Sequence, residues 1–261
     1  MRTLLALAAL AAPFALGLAD VRAQEAPKPR DALCFSGVSG TAGRIAAHDG
    51  FASLTLDDGT EVRLVDIVPT SALLGADRSE GGLQALVGEP VALARSTDFS
   101  GQDRYGRPVG DLVLSATQES VLRHLLREGL ALVDPAVMSE QCLDAMFKDE
   151  RWAQAQGNGF WADGGRIRKA QDAKLADDAG MYALVEGVVK SIGETRDTTY
   201  LNFGDDYKTD FTALIRRRDG KSWVDELKML EGRKVRLRGV LEAWNGALIR
   251  LEHPRQVERL D

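Results

Sequence analysis

The chain has 261 residues, 44% hydrophobic and 28% charged, with a formal net charge of −6. That supplies apolar material for one large domain or two small ones. The acidic balance excludes a generic nucleic-acid binder, because non-specific binding rests on Lys and Arg neutralising phosphates and would here need a local basic site. His48, His124 and His253 are isolated, and none has zinc-ligand spacing to either cysteine, which argues against a zinc centre.

Met1-Arg2-Thr3, the apolar run Leu4 to Leu18, and Val21-Arg22-Ala23 follow the charged, hydrophobic and small-x-small pattern of a signal peptide over residues 1–23. The apolar run is short of the roughly 20 residues that a spanning helix needs. A cleaved, periplasmic or secreted protein without an integral membrane anchor is therefore expected, the alternative being an uncleaved anchor. Removing the segment, whose net charge is +1, leaves −7. In an exported chain, Cys34 and Cys142 are most simply one disulfide; the alternative is two buried thiols.

Residues 24–36, with two prolines and mixed charges, read as a flexible leader. Structure is expected from residue 37, with a first strand before His48-Asp49-Gly50. Ser53 to Leu56, the turn Asp57-Asp58-Gly59 and Glu61 to Ile67 predict a β-hairpin. After a Gly-rich loop over 72–82, strands are expected near Val91–Ala94 and Val109–Leu114, separated by a polar loop that carries Asp103-Arg104-Tyr105-Gly106-Arg107. Val121, Leu122, Leu125 and Leu126 share one face of a helix that Gly129 stops. Ser139 caps a second helix bearing Leu143, Met146, Phe147 and Ala153, which ends at Gly157-Asn158-Gly159. Phe160-Trp161 then returns to the core.

Residues 162–180 are polar and read as a linker, part-helical, between a first domain at 37–161 and a second at 181–261. The second segment predicts three strands, a short helix (Trp223, Leu227 and Leu230 forming its apolar face) and two further strands joined by Trp244-Asn245-Gly246. That is the order of a five-stranded Greek-key barrel, the OB-fold. Arg216-Arg217-Arg218, Arg233, Lys234, Arg236 and Arg238 make the segment locally basic, and Tyr200, Phe203, Tyr207 and Trp244 are candidates to stack on bases. The plainer reading is solvated charge, with Arg236 and Arg238 alternating outward from a barrel strand.

Asp103 to Arg107, Arg127 to Ala131 and Phe160-Trp161, together with the hairpin, resemble the staphylococcal-nuclease-like (thermonuclease) family over residues 37–161. The fold class implied is β-rich α+β: a nuclease-like, OB-like five-stranded barrel with packed helices, followed by a second OB-like barrel. The family cleaves DNA and RNA with calcium. Asp side chains hold the metal, a Glu handles the attacking water and two Arg side chains grip the phosphate, consistent with calcium's need for hard oxygens and the charge on the phosphoryl group.

Position by position, Arg63, Tyr105 and Arg107 match the phosphate-binding set. The family's Asp-Gly-Asp-Thr is replaced by Asp49-Gly50-Phe51-Ala52. The second metal Asp falls on Val68 and the Glu on Ser71, or, one register over, on Ile67 and Thr70. Asp66 with Asp49 is the remaining candidate metal pair, if strand alternation puts Asp66 on the face of Val68. The expectation is a non-catalytic binding or scaffolding module without cofactor, with an anion pocket at Arg63, Tyr105 and Arg107 for nucleic acid or another anionic ligand. In the plainest alternative Arg63 and Arg107 pair with Asp49, Asp66 or Asp103 and close the barrel mouth. The catalytic alternative is a calcium-dependent nuclease, with Arg63 and Arg107 as its surviving catalytic groups.

Overall fold

The computed structural model describes residues 34, 38–49, 52–70, 73, 83–95, 101–206, 208–216 and 223–261. The expected signal peptide and most of the leader lie outside them, as do Gly50, Phe51, Ser71, Tyr207, Arg217 and Arg218. Among the described residues no helix is long and apolar enough to cross a membrane.

The first domain begins with β1 (Val38–His48), β2 (Ser53–Leu56), β3 (Glu61–Leu64), β4 (Ile67–Pro69), β5 (Pro90–Arg95) and β6 (Val109–Leu114). Five of these close a barrel in the order β1-β2-β3-β6-β5, with β3 and β6 parallel. Alternation fills its interior: Leu54, Leu56, Val62, Leu64, Val91, Leu93, Leu112 and Leu114 are all buried. The hairpin turn is closed by Gly59 at φ 83, a conformation that glycine adopts without steric cost. Helix α1 (Val121–Arg127) is capped by the Ser120 hydroxyl, which accepts from Arg123 N. Strand β7 (Ala131–Val133) and helix α2 (Glu140–Gln156) follow, and α2 ends at Gly157 with φ 69.

The return strand expected over 61–67 is shorter than its sequence suggests. Asp66 adopts φ 52 and breaks it, and β4 leaves the barrel to pair with β7 in a separate two-stranded sheet. The cause is local. The Asp66 carboxylate accepts from the amides of Ala136, Val137 and Met138, fastening the turn that leads into α2.

Gly129 and Gly159 bring two turns into backbone contact. Phe160 N donates to Gly129 O at 2.8 Å and Asn158 Nδ2 to Arg127 O at 2.9 Å. A Cβ on Gly129 would lie 2.2 Å from Asn158 O, and one on Gly159 would lie 2.5 Å from Glu128 O. This clamp seats the edge-to-face pair Phe160 and Trp161, ring centroids 5.0 Å apart.

Between domains, residues 162–180 are organised rather than free. Strand β8 (Arg168–Lys169) pairs with β9 (Tyr182–Val188), Leu175–Asp178 form a 3-10 turn, and Ala170 and Leu175 sit in the second core. The second domain adds β10 (Ser191–Glu194), β11 (Thr198–Asn202), β12 (Thr212–Arg216), helix α3 (Val224–Leu227), β13 (Lys234–Ala243), β14 (Ala247–Arg250) and β15 (Val257–Arg259). Its sheet runs β10-β11-β12-β14-β13-β9-β8, with β12 and β14 parallel. Since β9 and β10 are consecutive segments of one stretch of chain, the path repeats the connectivity of the first barrel.

The outward reading of Arg236 and Arg238 is overturned. Both are buried, at 8% and 2% exposure. Arg236 pairs with Glu186 and Glu258. Arg238 forms a two-point pair with Glu150 of α2 and also donates to Val133 O. The face of β13 that would meet solvent in an isolated barrel instead meets the first domain. Around it, Tyr182 Oη donates to Val133 O, and Leu132, Ala153, Phe160, Trp161, Tyr182 and Leu184 form an apolar cluster drawn from both domains.

Cys34 and Cys142, expected as one disulfide, lie side by side as hydrogen-bonded thiols. Burial and the neighbouring Cys142 push the Cys34 thiol well above its ordinary value.

Asp111, inside β6, accepts from Leu122 N at 3.0 Å, Leu112 N at 2.8 Å and the Ser120 hydroxyl. Burial nevertheless pushes its carboxyl from 3.8 up to about 6. The folded state then holds a proton that the unfolded chain has lost, so stability falls as pH rises from about 4 to 6 and is level above that. A gap of this size corresponds to about 3 kcal/mol. Burial also pushes Asp134 up to about 6. Asp111→Asn should therefore reduce the fall in stability between pH 4 and 6, leaving the parts due to Asp134 and Asp66, and make the variant more stable than the parent at pH 8. Urea unfolding across that range checks it; an unchanged slope would rule out Asp111 as its source.

Candidate functional site

The predicted phosphate-binding residues lie at the mouth of the first barrel. The loop bearing Asp103 to Arg107 is closed by its own first residue. Asp103 Oδ1 accepts from Tyr105 N at 2.8 Å and Arg107 N at 3.0 Å, and Gly106 takes φ 79. Asp103 Oδ2 accepts from Arg107 Nε at 2.8 Å, and Arg107 Nη1 donates to Glu61 Oε1 at 2.7 Å. Desolvation alone would raise the Asp103 carboxyl, but the bonds from Arg107 and Tyr105 hold it below its ordinary value. The same Asp103 and Glu61 carboxylates push the Arg107 guanidinium up. Arg107 is thus a neutralised, three-residue knot with Glu61 and Asp103 rather than an open anion receptor.

Arg63 differs. It is exposed on β3, where it is the register partner of Ser53 and its N–H donates to Pro108 O. Tyr105 is 67% exposed, with the Arg104 and Arg107 guanidinium carbons 4.7 and 5.4 Å from its ring centre. Of the expected anion-binding set, Arg107 is thus paired with Asp103 and Glu61, while Arg63 and Tyr105 are exposed.

The candidate metal pair does not assemble. Asp49 Oδ1 accepts from Ser53 N at 3.0 Å and holds the β1–β2 bend. Asp66, turned by its left-handed backbone, faces the amides of 136–138 instead of following the alternation that would align it with Val68. Ile67 is in the first core, and Val68 packs against the apolar cluster shared by both domains. Thr70 is buried, and both its N–H and its hydroxyl bond Leu130 O. Among the described residues, no group of three or more His, Cys, Asp or Glu is arranged to hold a metal ion. These donors do not fit calcium, which takes six to eight oxygen ligands, so no catalytic step is built on it.

In the second domain, Phe203 is a core residue at 1% exposure and cannot stack on a ligand. Arg216 is exposed on β12, and Trp244 is half exposed on the β13–β14 turn.

Sequence reading missed the charges buried inside the molecule. Arg123 bridges α1 to Asp149 of α2 at 2.5 and 3.1 Å, and Glu150 meets Arg238. One signal for Glu150 was present: it lies four residues after Met146 and three after Phe147, on the apolar face of α2. A carboxylate at such a position requires a buried partner.

Residues 84–163 match the family model described as Staphylococcal nuclease homologue. The first domain is staphylococcal-nuclease-like, and the matched segment runs from just before β5 through α2 to Phe160-Trp161. It contains Asp103, Tyr105 and Arg107 but not Arg63, nor any of the positions where the resemblance places metal ligands and base. No curated protein matches the chain.

Proposed function

We propose that the chain is an exported, non-catalytic binding or scaffolding protein built on a nuclease-like domain. The observation that carries this reading is the fate of the two carboxylates between Glu61 and Thr70. Glu61 is paired with Arg107, and Asp66 is bonded to three backbone amides. Glu61 thus commits one oxygen to Arg107, and both oxygens of Asp66 are taken by amides. Loss of a general base alone costs on the order of 10²- to 10⁴-fold in rate, and loss of metal charge stabilisation adds to it.

Incubating the mature protein with single-stranded DNA, with and without calcium, tests this. No calcium-dependent cleavage is expected. Cleavage that requires calcium and disappears in Arg107→Ala would establish the nuclease reading instead. Export rests on the composition of residues 1–23; an N-terminus at Gln24 in the secreted or periplasmic fraction is expected, and a cytosolic chain retaining Met1 would exclude it.

A further inference from the structure

The outer face of the second barrel carries a groove that the first domain does not cover. Its floor is Leu248 on β14, and its walls are Tyr200 on β11 and Trp244 on the β13–β14 turn. Asn202, Thr212 and Asn245 place amide and hydroxyl groups around it, and its volume is about 370 Å³. The topology explains the placement. Tyr200 pairs with Leu214 and Asn202 with Thr212, while Thr212 pairs with Leu248, so these side chains fall on adjacent strands of one face. Asn245 at φ 47 and Gly246 at φ 94 turn the hairpin and hold Trp244 beside the groove, half exposed.

The chemistry of this lining is specific. Aromatic faces flank it, three neutral polar side chains rim it, and none of the described residues that line it is charged. On the strands beside it Arg250 pairs with Glu242, and Lys190 just before β10 pairs with Asp205, while Arg216 lies exposed further along β12. The whole chain carries −6. A phosphodiester strand laid here would meet no cationic side chain among the described residues that line the groove, whereas strong single-strand binding combines stacking with a basic track. A ring that is apolar on its faces, hydroxylated at its edge and uncharged meets each of these features.

We infer that the Tyr200–Trp244 groove binds a sugar ring of a neutral glycan, the ring stacking on Trp244 and Tyr200 while Asn202, Asn245 and Thr212 bond its hydroxyl groups. This reading concerns the second domain alone and stands or falls independently of whether the first domain cuts DNA.

The test is titration calorimetry of the full mature chain with two neutral hexasaccharides, chitohexaose and cellohexaose, beside a thymidine oligonucleotide of similar length. Saturable binding of at least one hexasaccharide is expected, weakened at least tenfold by Trp244→Ala and by Tyr200→Ala and less by Trp244→Phe, which keeps an aromatic face. The unfolding midpoints of these surface variants verify that they fold. Binding of the oligonucleotide with neither sugar bound, or sugar binding indifferent to both alanine substitutions, would overturn the assignment. So would the absence of binding by both sugars.

Discussion

Arg238→Met is expected to destabilise the protein by about 3–5 kcal/mol, the cost of leaving a buried charge without its partner. Arg238 is 2% exposed, and its Nη2 and Nη1 lie 2.9 and 3.1 Å from the two Glu150 oxygens. Burial opposes the guanidinium charge, and Glu150 more than offsets that, so the group stays ionised. Its Nη1 also donates to Val133 O at 2.9 Å, and its guanidinium carbon lies 4.6 Å from the centre of the Phe147 ring. A second arginine of the second domain meets the same ring: Arg255, at 4.7 Å from its centre, also pairs with Glu140 and Asp144.

Removing Arg238 alone therefore leaves the Glu150 charge buried without its cation. Adding Glu150→Gln should recover most of the loss, because no buried charge remains and the amide oxygen can still accept from Val133 N, as Glu150 Oε2 does at 2.6 Å. Urea unfolding of the parent, both single variants and the pair measures the coupling. If Arg238→Met stays within about 1 kcal/mol of the parent, this pair is not what fastens the two domains.

A similar loss is expected from Gly129→Ala, for a different reason. Gly129 has φ 64, which costs an L-residue about 1–2 kcal/mol. Its added Cβ would also press on backbone, 2.2 Å from Asn158 O and 2.8 Å from Asn158 C, where no side chain can swing aside. The two turns would have to part, lengthening the bond from Phe160 N to Gly129 O and loosening Phe160 and Trp161. The combined effect is expected to reach about 3 kcal/mol or more. Gly157→Ala is the control. Its φ of 69 is similar, yet nothing lies within 4 Å of its Cβ position, so only the conformational cost of about 1–2 kcal/mol applies. Thermal unfolding with near-ultraviolet circular dichroism compares them; equal losses would remove the close backbone approach from the explanation.

The same pair of glycines shows how a motif was legible without its meaning. Arg127 to Ala131 and Phe160-Trp161 pointed to the family, and the family match over 84–163 agrees. What the tertiary structure adds is that these residues form one backbone contact across 30 residues of sequence, which no local pattern announces. The Asp103 to Arg107 loop divides similarly. Its turn chemistry was readable from Asp and Gly, but the closure of Arg107 by Glu61 depends on β3 passing beside it. Among the alternatives drawn from sequence, pairing of Arg107 at the barrel mouth describes what the geometry contains; Arg63 does not share in it.

Sequence by itself determined the strands and helices whose apolar residues recur at a period of two or near 3.6, the glycine turns that end them, and the order that makes two OB-like barrels. The resemblance by which Val68 and Ser71 stand where the family has carboxylates was likewise read without coordinates. Only the tertiary structure decided which surfaces became interior. Alternation assigned Arg236 and Arg238 to solvent because it describes one barrel at a time; packing against the first domain buried the outer face of β13 as well. It likewise decided that Asp66, readable as a stray metal ligand, is a clamp on a turn 70 residues further along. The physical reason is common to both. Periodicity records a residue's relation to its own strand, whereas burial and charge pairing depend on what long-range contact brings to the other side.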